Sequence, residues 1–423
     1  MKRVIAISAL ALLFACAADG ASTAKAPGFQ AAREFDTSAK GTNSVALGDL
    51  NGDGKLDVVA AHGAFDDDPP ELRRLRLVSV LYGRGNGRLG PSHEYEIAKP
   101  GDTGGAWSIA MGDVTGDGKP DVVTGNLESL SVSVLANSGD GTLEAPSNYA
   151  VGREAWDIAL ADLNGDGKPD IATANRKRSS TTVLLNRGDG SFGDPVDYAT
   201  GAGPSTVEIG DVNGDGNSDV VSANGSTDPN GDLDYVDSVS VLLGNGDGTL
   251  RPKRNYRVKD ESTDQRLFIT IRIADVNGDR KPDLVTADLG DQYSITVLVN
   301  GGKGTFRRHF DYGWKDYTSQ EVGQGSEAIA LGDLNADHRL DVVEALSDEL
   351  AVLVNAPGSC TVPELGGLKL PAARRVLAAR TCALGKVTWR KGGTKGFIWN
   401  QRPAAGTVIP KGAKVRLVVS RGS

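Results

Sequence analysis

The chain has 423 residues, 39% of them apolar and 5% aromatic, with 55 Gly. That apolar content suffices to bury cores in two or three domains, and so many Gly with so few aromatics argue against long helices and for short strands joined by many turns. The net charge of -9 is uneven: residues 360–423 hold 13 Lys and Arg against one Glu, net +12, and the remaining 33 bases against 54 acids leave -21 before them, which argues against nucleic acid as a partner of the acidic part and predicts two modules with different partners.

The chain starts with a short basic stretch, "MKR", followed by an apolar run of 12, "VIAISALALLFA", and then small residues. This is the layout of an export signal and is too short for a membrane span, so residues 1–26 are expected to be signal and spacer, and the protein to be exported to the cell envelope or beyond. "LFAC" resembles a bacterial lipoprotein signal that would lipidate Cys16, whereas "ACA" fits an ordinary signal-peptidase site; both readings stand. The other two cysteines, Cys360 and Cys382, lie 22 residues apart in the basic module and in an oxidising compartment are most simply a disulfide.

From residue 49 onward one phrase returns six times: "DLNGDGKLD" at 49, "DVTGDGKPD" at 113, "DLNGDGKPD" at 162, "DVNGDGNSD" at 211, "DVNGDRKPD" at 275 and "DLNADHRLD" at 333. The periods of 64, 49, 49, 64 and 58 residues have the size of propeller blades or solenoid turns. Short Val- and Ile-rich runs flank each loop, such as "SIAMG" before and "DVVTG" after. A further strand then leads to a Gly-rich hairpin turn, as in "VSVLANSGDGTL", and to an outer segment such as "SNYAVG". Each unit is thus four strands, and the expectation is an all-β propeller of six blades over 29–357, with the N-terminal segment "FQAAREFDTSAKG" completing the last blade.

Each loop carries the oxygen chemistry of a calcium site, with side-chain oxygens at positions 1, 3, 5 and 9 and a carbonyl at position 7. Position 1 is Asp49, Asp113, Asp162, Asp211, Asp275 and Asp333; position 3 is Asn51, Thr115, Asn164, Asn213, Asn277 and Asn335. Position 5 is Asp53, Asp117, Asp166, Asp215, Asp279 and Asp337; position 9 is Asp57, Asp121, Asp170, Asp219, Asp283 and Asp341. The carbonyls at position 7 come from Lys55, Lys119, Lys168, Asn217, Lys281 and Arg339. A helix-flanked calcium hand also needs a bidentate Glu at position 12, which five of the six lack, and the flanks here are strand-like. Up to six Ca²⁺ are expected, as structural cations offsetting the acidic charge. Arg280 in the fifth loop, and Ala336 and His338 in the sixth, depart from the Gly pattern.

These repeats resemble the FG-GAP or VCBS family, also found in integrin α-subunit heads, on "VALGDLNGDGKLDVV" at 45–59 and "VSVLLGNGDGTL" at 239–250 and their equivalents. The resemblance implies a propeller and calcium at Asp49, Asn51, Asp53, Asp57 and their counterparts, and leaves the ligand open among adhesins, lectin-like modules and accessory domains of secreted enzymes. Residues 360–422 are similar to a PASTA domain, on "VP…G" at Val362, Pro363 and Gly366, the helical "LPAARRVLAA", and Gln401, Pro403, Gly406 and Thr407. That resemblance implies one helix on a small sheet and association with peptidoglycan, and the +12 charge would attract an anionic wall polymer.

The sequence reading is therefore of an exported, envelope-associated binding protein recognising an extracellular protein or glycan through its propeller. Its four His are scattered and no nucleophile motif occurs, so no catalytic residues are assigned; a polysaccharide lyase or hydrolase and a purely structural envelope component are the alternatives. "RGD" at 187–189 occupies a routine turn, and Trp107 and Trp156, each six residues before a loop, are expected to pack between blades.

Overall fold

The computed structural model describes residues 42–63, 76–85, 88–97, 105–127, 129–152, 154–225, 238–258, 267–289, 294–313, 326–332, 339–346, 350–353, 359–379, 382–403, 408–410 and 414–422. The chain divides into two compact units, Met1–Leu353 and Val354–Ser423.

The first unit holds five four-stranded antiparallel meanders and a sixth sheet of three described strands, in chain order. The first consists of Thr42–Gly48, Asp57–His62, Leu77–Gly83 and Leu89–Glu96. The others begin with Ala106–Gly112, Asp157–Ala161, Pro204–Gly210, Leu267–Ala274 and Ser326–Gly332. These six leading strands pack beside one another in sequence, forming the inner edge of the array. In the second, third and fourth sheets the middle strands, such as Asp121–Asn126 and Ser131–Leu135, are buried along their whole length, whereas the outer strand Ser147–Ala150 is largely exposed. A sheet covered on both faces reads as an unbroken apolar run instead of an alternating one, which is why "DVVTG" lacks period two; in "SVSV" the alternation persists, but its Ser residues are buried along with the Val.

The cores lie between sheets. Val59, Val78 and Val80 of the first pack with Ile109, Val122 and Leu135 of the second, and a separate cluster fills each following interface, as with Val285 and Ile295 against Ile329 and Val342. Each fully buried Val, Leu or Ile contributes about 1.5–3 kcal/mol, so each interface is a small core of its own. Meander sheets packed face to face in a series, with their first strands innermost, are a β-propeller. The segment at 29–41 expected to complete the last sheet lies outside the described residues.

In the second unit the helix Leu370–Ala379 coincides with the expected "LPAARRVLAA". Its Ala373 and Leu377 pack with Val415, Leu417 and Val419 on one face of a three-stranded sheet. That sheet has Lys414–Ser420 at its centre, between Ala383–Arg390 and Ile398–Arg402. Ser359–Thr361, which carries Cys360, pairs with Val408–Pro410. Cys382 is buried in the core. Gln401 fastens the opening of this unit: its Nε2 donates to the Pro363 carbonyl at 2.7 Å and its Oε1 accepts the Leu365 N–H at 2.7 Å.

Candidate metal centre

Each repeated loop is the hairpin between the innermost strand of a sheet and its neighbour, in one register throughout: Gly48 pairs with Asp57, Gly112 with Asp121, Ala161 with Asp170, Gly210 with Asp219, Ala274 with Asp283 and Gly332 with Asp341. The flanks are strands, as the sequence predicts. Asp333, Asn335 and Asp337 of the sixth loop lie outside the described residues.

The five described loops wrap around the carboxylate at position 1. In the third, Asp162 Oδ1 accepts the N–H groups of Asn164, Gly165 and Asp166 at 2.7–3.2 Å, and Oδ2 accepts that of Gly167 at 2.7 Å. In the other four, Oδ1 of Asp49, Asp113, Asp211 and Asp275 likewise accepts the N–H of position 5 and Oδ2 that of position 6. Positions 4 and 6 take positive φ, 78° and 82° at Gly165 and Gly167, which Gly adopts without strain. Arg280 holds φ 66° at the same place, so the fifth loop keeps the conformation despite losing its Gly. The side chain at position 5 closes the turn: Asp53 Oδ1 accepts the Lys55 N–H at 2.9 Å, while the Lys55 ammonium sits 2.7 Å from Oδ2 and holds the carboxyl below its ordinary value. Lys119, Lys168 and Lys281 pair in the same way with Asp117, Asp166 and Asp279 at 3.2–3.7 Å.

Position 9 is different. Asp57, Asp121, Asp170, Asp219, Asp283 and Asp341 are fully buried. Asp170 Oδ2 accepts the Leu163 N–H within the loop at 2.9 Å, and Oδ1 accepts the Asn186 N–H of the sheet's other turn at 2.7 Å. Asp57 bridges Leu50 to Gly83, Asp121 bridges Val114 to Asn137, and Asp219 bridges Val212 to Gly244. This Asp therefore clamps two turns of one blade, a role the spacing argument did not foresee. Burial pushes Asp219 and Asp283 up to about 6, and raises Asp121 and Asp170 as well. A divalent cation in the loop acts in the opposite sense.

From that second turn an Asn crosses to the preceding blade. Asn137 Nδ2 donates to the Leu50 carbonyl at 2.8 Å, Asn186 to Val114 at 2.9 Å and Asn300 to Val212 at 2.7 Å, each carbonyl belonging to position 2 of a loop in another sheet. Tyr149 Oη adds a bond to the Gly190 carbonyl at 2.6 Å, and Tyr256 one to Gly304 at 2.8 Å. The first, second and fourth loops are thereby wired to their own blade through position 9 and to a neighbouring blade through position 2.

The donor set suits a hard cation: all oxygen, with a carbonyl at position 7 and second lone pairs left on the position 1 and position 9 carboxylates. As the side chains stand, among the described residues no group of three or more acidic, His or Cys side chains converges on one point. Position 5 faces the Lys ammonium in the first, second, third and fifth loops, and positions 1 and 9 face backbone N–H groups. A cation would have to displace the Lys from position 5, a small rearrangement of an exposed side chain.

Other sequence-singled residues are accounted for by packing. Trp107 of one innermost strand and Trp156, just before the next, lie with ring centroids 5.1 Å apart and planes tilted by 50°, and Arg176 lies 4.8 Å above Trp156. Asp189 of "RGD" accepts the Ser191 N–H and hydroxyl, as Asp140 and Asp247 do with Thr142 and Thr249 in their turns. A cluster not foreseen lies on the innermost strands, away from the loops. Glu208 accepts the Ile273 N–H at 2.6 Å and an Arg272 guanidinium N–H at 3.2 Å; Asp157 accepts the Val207 N–H at 3.0 Å. Burial, opposed by Arg272, pushes Glu208 up to about 7 and Asp157 to about 6. The signal was present in the sequence: three residues before each loop stand Ala46, Ala110, Ala159, Glu208, Arg272 and Ala330, two charges in a place otherwise reserved for Ala.

Among curated proteins none matches the chain. Similar solved structures include an Agrocybe aegerita lectin described as recognising non-reducing terminal N-acetylglucosamine, 24% identical over 63% of this chain and 65% of that one, TM-score 0.42. The Vibrio cholerae biofilm matrix protein Bap1 is 20% identical over 63% of this chain and 38% of its own, TM-score 0.37. A Pseudomonas aeruginosa periplasmic gluconolactonase is 13% identical over 75% and 74%, TM-score 0.43. This chain thus spans less than two thirds of the lectin and of the biofilm protein. The model of the FG-GAP-like repeat matches residues 49–124, 125–173, 162–222, 211–286 and 275–344, well over half of the chain. With its loops, turns and sheets repeating in that register, the chain belongs to the FG-GAP-like repeat family.

Proposed function

We propose that this chain is an exported, cell-envelope-associated binding protein. Up to six structural Ca²⁺ would stabilise a six-bladed propeller, closed by the segment at 29–41, that recognises an extracellular protein or glycan. The basic unit would act as a PASTA-like module contacting peptidoglycan or an anionic wall polymer, with Cys360 and Cys382 joined as a disulfide and Cys16 either lipidated or removed with the signal.

The observation carrying this reading is where the recurrent carboxylates go. Positions 1, 5 and 9 bond the same backbone groups in each described loop, so the repeated acids build blades and leave no repeated reactive site. What varies between blades is the opposite rim, where the innermost strands begin and where Trp107, Trp156 and Arg176 cluster; variable loops on a rigid scaffold are the usual place for recognition. Calcium would be held by positions 1, 3, 5 and 9 and the carbonyl at 7, and would supply charge neutralisation where each loop meets its two blades. The test is co-sedimentation of the full chain with purified peptidoglycan, with calcium and with EDTA. Salt-dependent sedimentation in both supports the wall contact through the basic unit; no sedimentation, or loss with EDTA alone, sinks that assignment.

One cluster favours a second reading, a carbohydrate-active enzyme. Asp157 and Glu208 are two carboxyls raised toward neutrality beside Arg272 and away from the loops, the disposition acid and base catalysis requires. Release of reducing ends from wall or matrix polysaccharides, abolished in Glu208→Gln, would establish it; no release assigns the cluster to blade contact.

A further inference from the structure

Among the described residues of the C-terminal unit, the helix covers only one face of the sheet. Val415, Leu417 and Val419 of the central strand point into the core beneath it, so the alternate residues Lys414, Arg416 and Val418 look the other way, and Lys414 and Arg416 are exposed. Register brings Arg402 of the neighbouring strand directly opposite Arg416, two cations side by side on the uncovered face. Asn400 stands opposite Val418, and Arg390 at the end of the remaining strand stands opposite Ser420. Trp399 sits at the bulge beside Asn400, half exposed, with the Arg390 guanidinium 4.9 Å from its ring centroid.

Two like charges directly opposite on a sheet repel unless an anion lies between them. No ion pair compensates them: among the described residues none forms at Arg390, Arg402, Lys414 or Arg416. The unit's one acid, Glu364, is committed to the Gly366 N–H at 2.6 Å. Trp399 stays half exposed although the Arg390 guanidinium lies over its ring. Three of the four cations are Arg, whose planar forks pair bidentately with phosphate, and the indole offers an apolar face to a sugar or polyol.

We propose that this uncovered sheet face, Arg390, Trp399, Arg402, Lys414 and Arg416, is the docking surface for a linear polymer of phosphate-linked sugar or polyol units. The inference rests on the wall-contact reading above and gives it a surface and a ligand chemistry. The polymer lies across the sheet with its phosphates against Arg402, Arg416 and Lys414 and its carbon backbone against Trp399.

The test uses the full chain and poly(glycerol phosphate) as the probe, with polygalacturonate and single-stranded DNA as comparison polymers. Arg402→Ala/Arg416→Ala should weaken binding at least about tenfold and flatten its salt dependence; Trp399→Ala should weaken it about threefold to tenfold. Arg374→Ala/Arg375→Ala, which removes the same charge from exposed positions on the helix, should change it less than about twofold. Thermal melts of all variants guard against misfolding, and Arg402→Lys/Arg416→Lys should bind between the two, since charge is kept and the fork lost. Equal loss in both double-Ala variants overturns the face in favour of bulk charge. Tighter binding of the uronate or the DNA overturns the ligand chemistry. Peptidoglycan binding with no binding of the phosphate polymer overturns this inference and leaves the wall reading standing; binding of neither overturns both.

Discussion

The two units solve the same problem by opposite means. The propeller, which carries nearly all of the acids, repeats one buried Asp at position 9 of every loop and spends its carboxylates on backbone N–H groups. The C-terminal unit, with one acid among 13 bases, ties its opening segment with a single neutral amide, Gln401, and leaves its charges on an uncovered face. In the first, charge is internal and structural. In the second it is external and available, so substitutions should reach stability in one and binding in the other.

The sharpest way to break that contrast is at position 9. Asp170→Ala strands two buried N–H groups, of Leu163 and Asn186, and should cost about 3–4 kcal/mol, with Asp170→Asn recovering part of it. Denaturant unfolding of the propeller checks this; a loss below about 1 kcal/mol would mean the clamp is incidental. Next is Asn186→Ala, which removes the bonds to Val114 and Pro169 and should cost about 2–3 kcal/mol. Its signature is loosened protection from hydrogen exchange at the contact between the second and third sheets. Gln401→Ala should cost about 2 kcal/mol and lower the unfolding temperature of the C-terminal unit alone.

A smaller effect sharpens the contrast through pH. Glu208, pushed up to about 7 from an ordinary 4.5, binds its proton more tightly in the folded chain. Its contribution is fully present below about pH 4.5 and is lost as pH rises toward 7. Its side chain is a quarter exposed, so the expected loss is only about 1–2 kcal/mol. The difference between wild type and Glu208→Gln across that range should carry this slope, and parallel curves would contradict it. Smallest of all, Lys119→Ala removes an exposed pair with Asp117 and should change stability by less than about 0.5 kcal/mol without calcium.

Much of the fold was legible because it is local and repeated. The runs around each loop, the Gly-rich second turn and the helix "LPAARRVLAA" each announce themselves within a dozen residues. The loop oxygens were legible too, but their division of labour was not. The Asp at position 9 reads as one more ligand until the register places it at the start of a buried strand, within reach of a turn 16 residues on. Asn186 falls in a Gly-rich turn, and nothing local signals its bond to Val114, 72 residues away in sequence. The Glu208 and Arg272 contact, 64 residues apart, exists only because two innermost strands become neighbours in the array. Long-range partners of this kind leave only a residue out of place in an otherwise regular column, and one sequence gives little reason to weigh it.

The central claim is that calcium holds the propeller and not the basic unit. Differential scanning calorimetry of the full chain at millimolar calcium and in EDTA tests it directly. With dissociation constants around 10⁻⁴ M, each filled site should contribute on the order of 1 kcal/mol. The account predicts that EDTA lowers the propeller transition by many degrees and leaves that of the C-terminal unit in place. Two transitions that ignore calcium, or that move together, would contradict it.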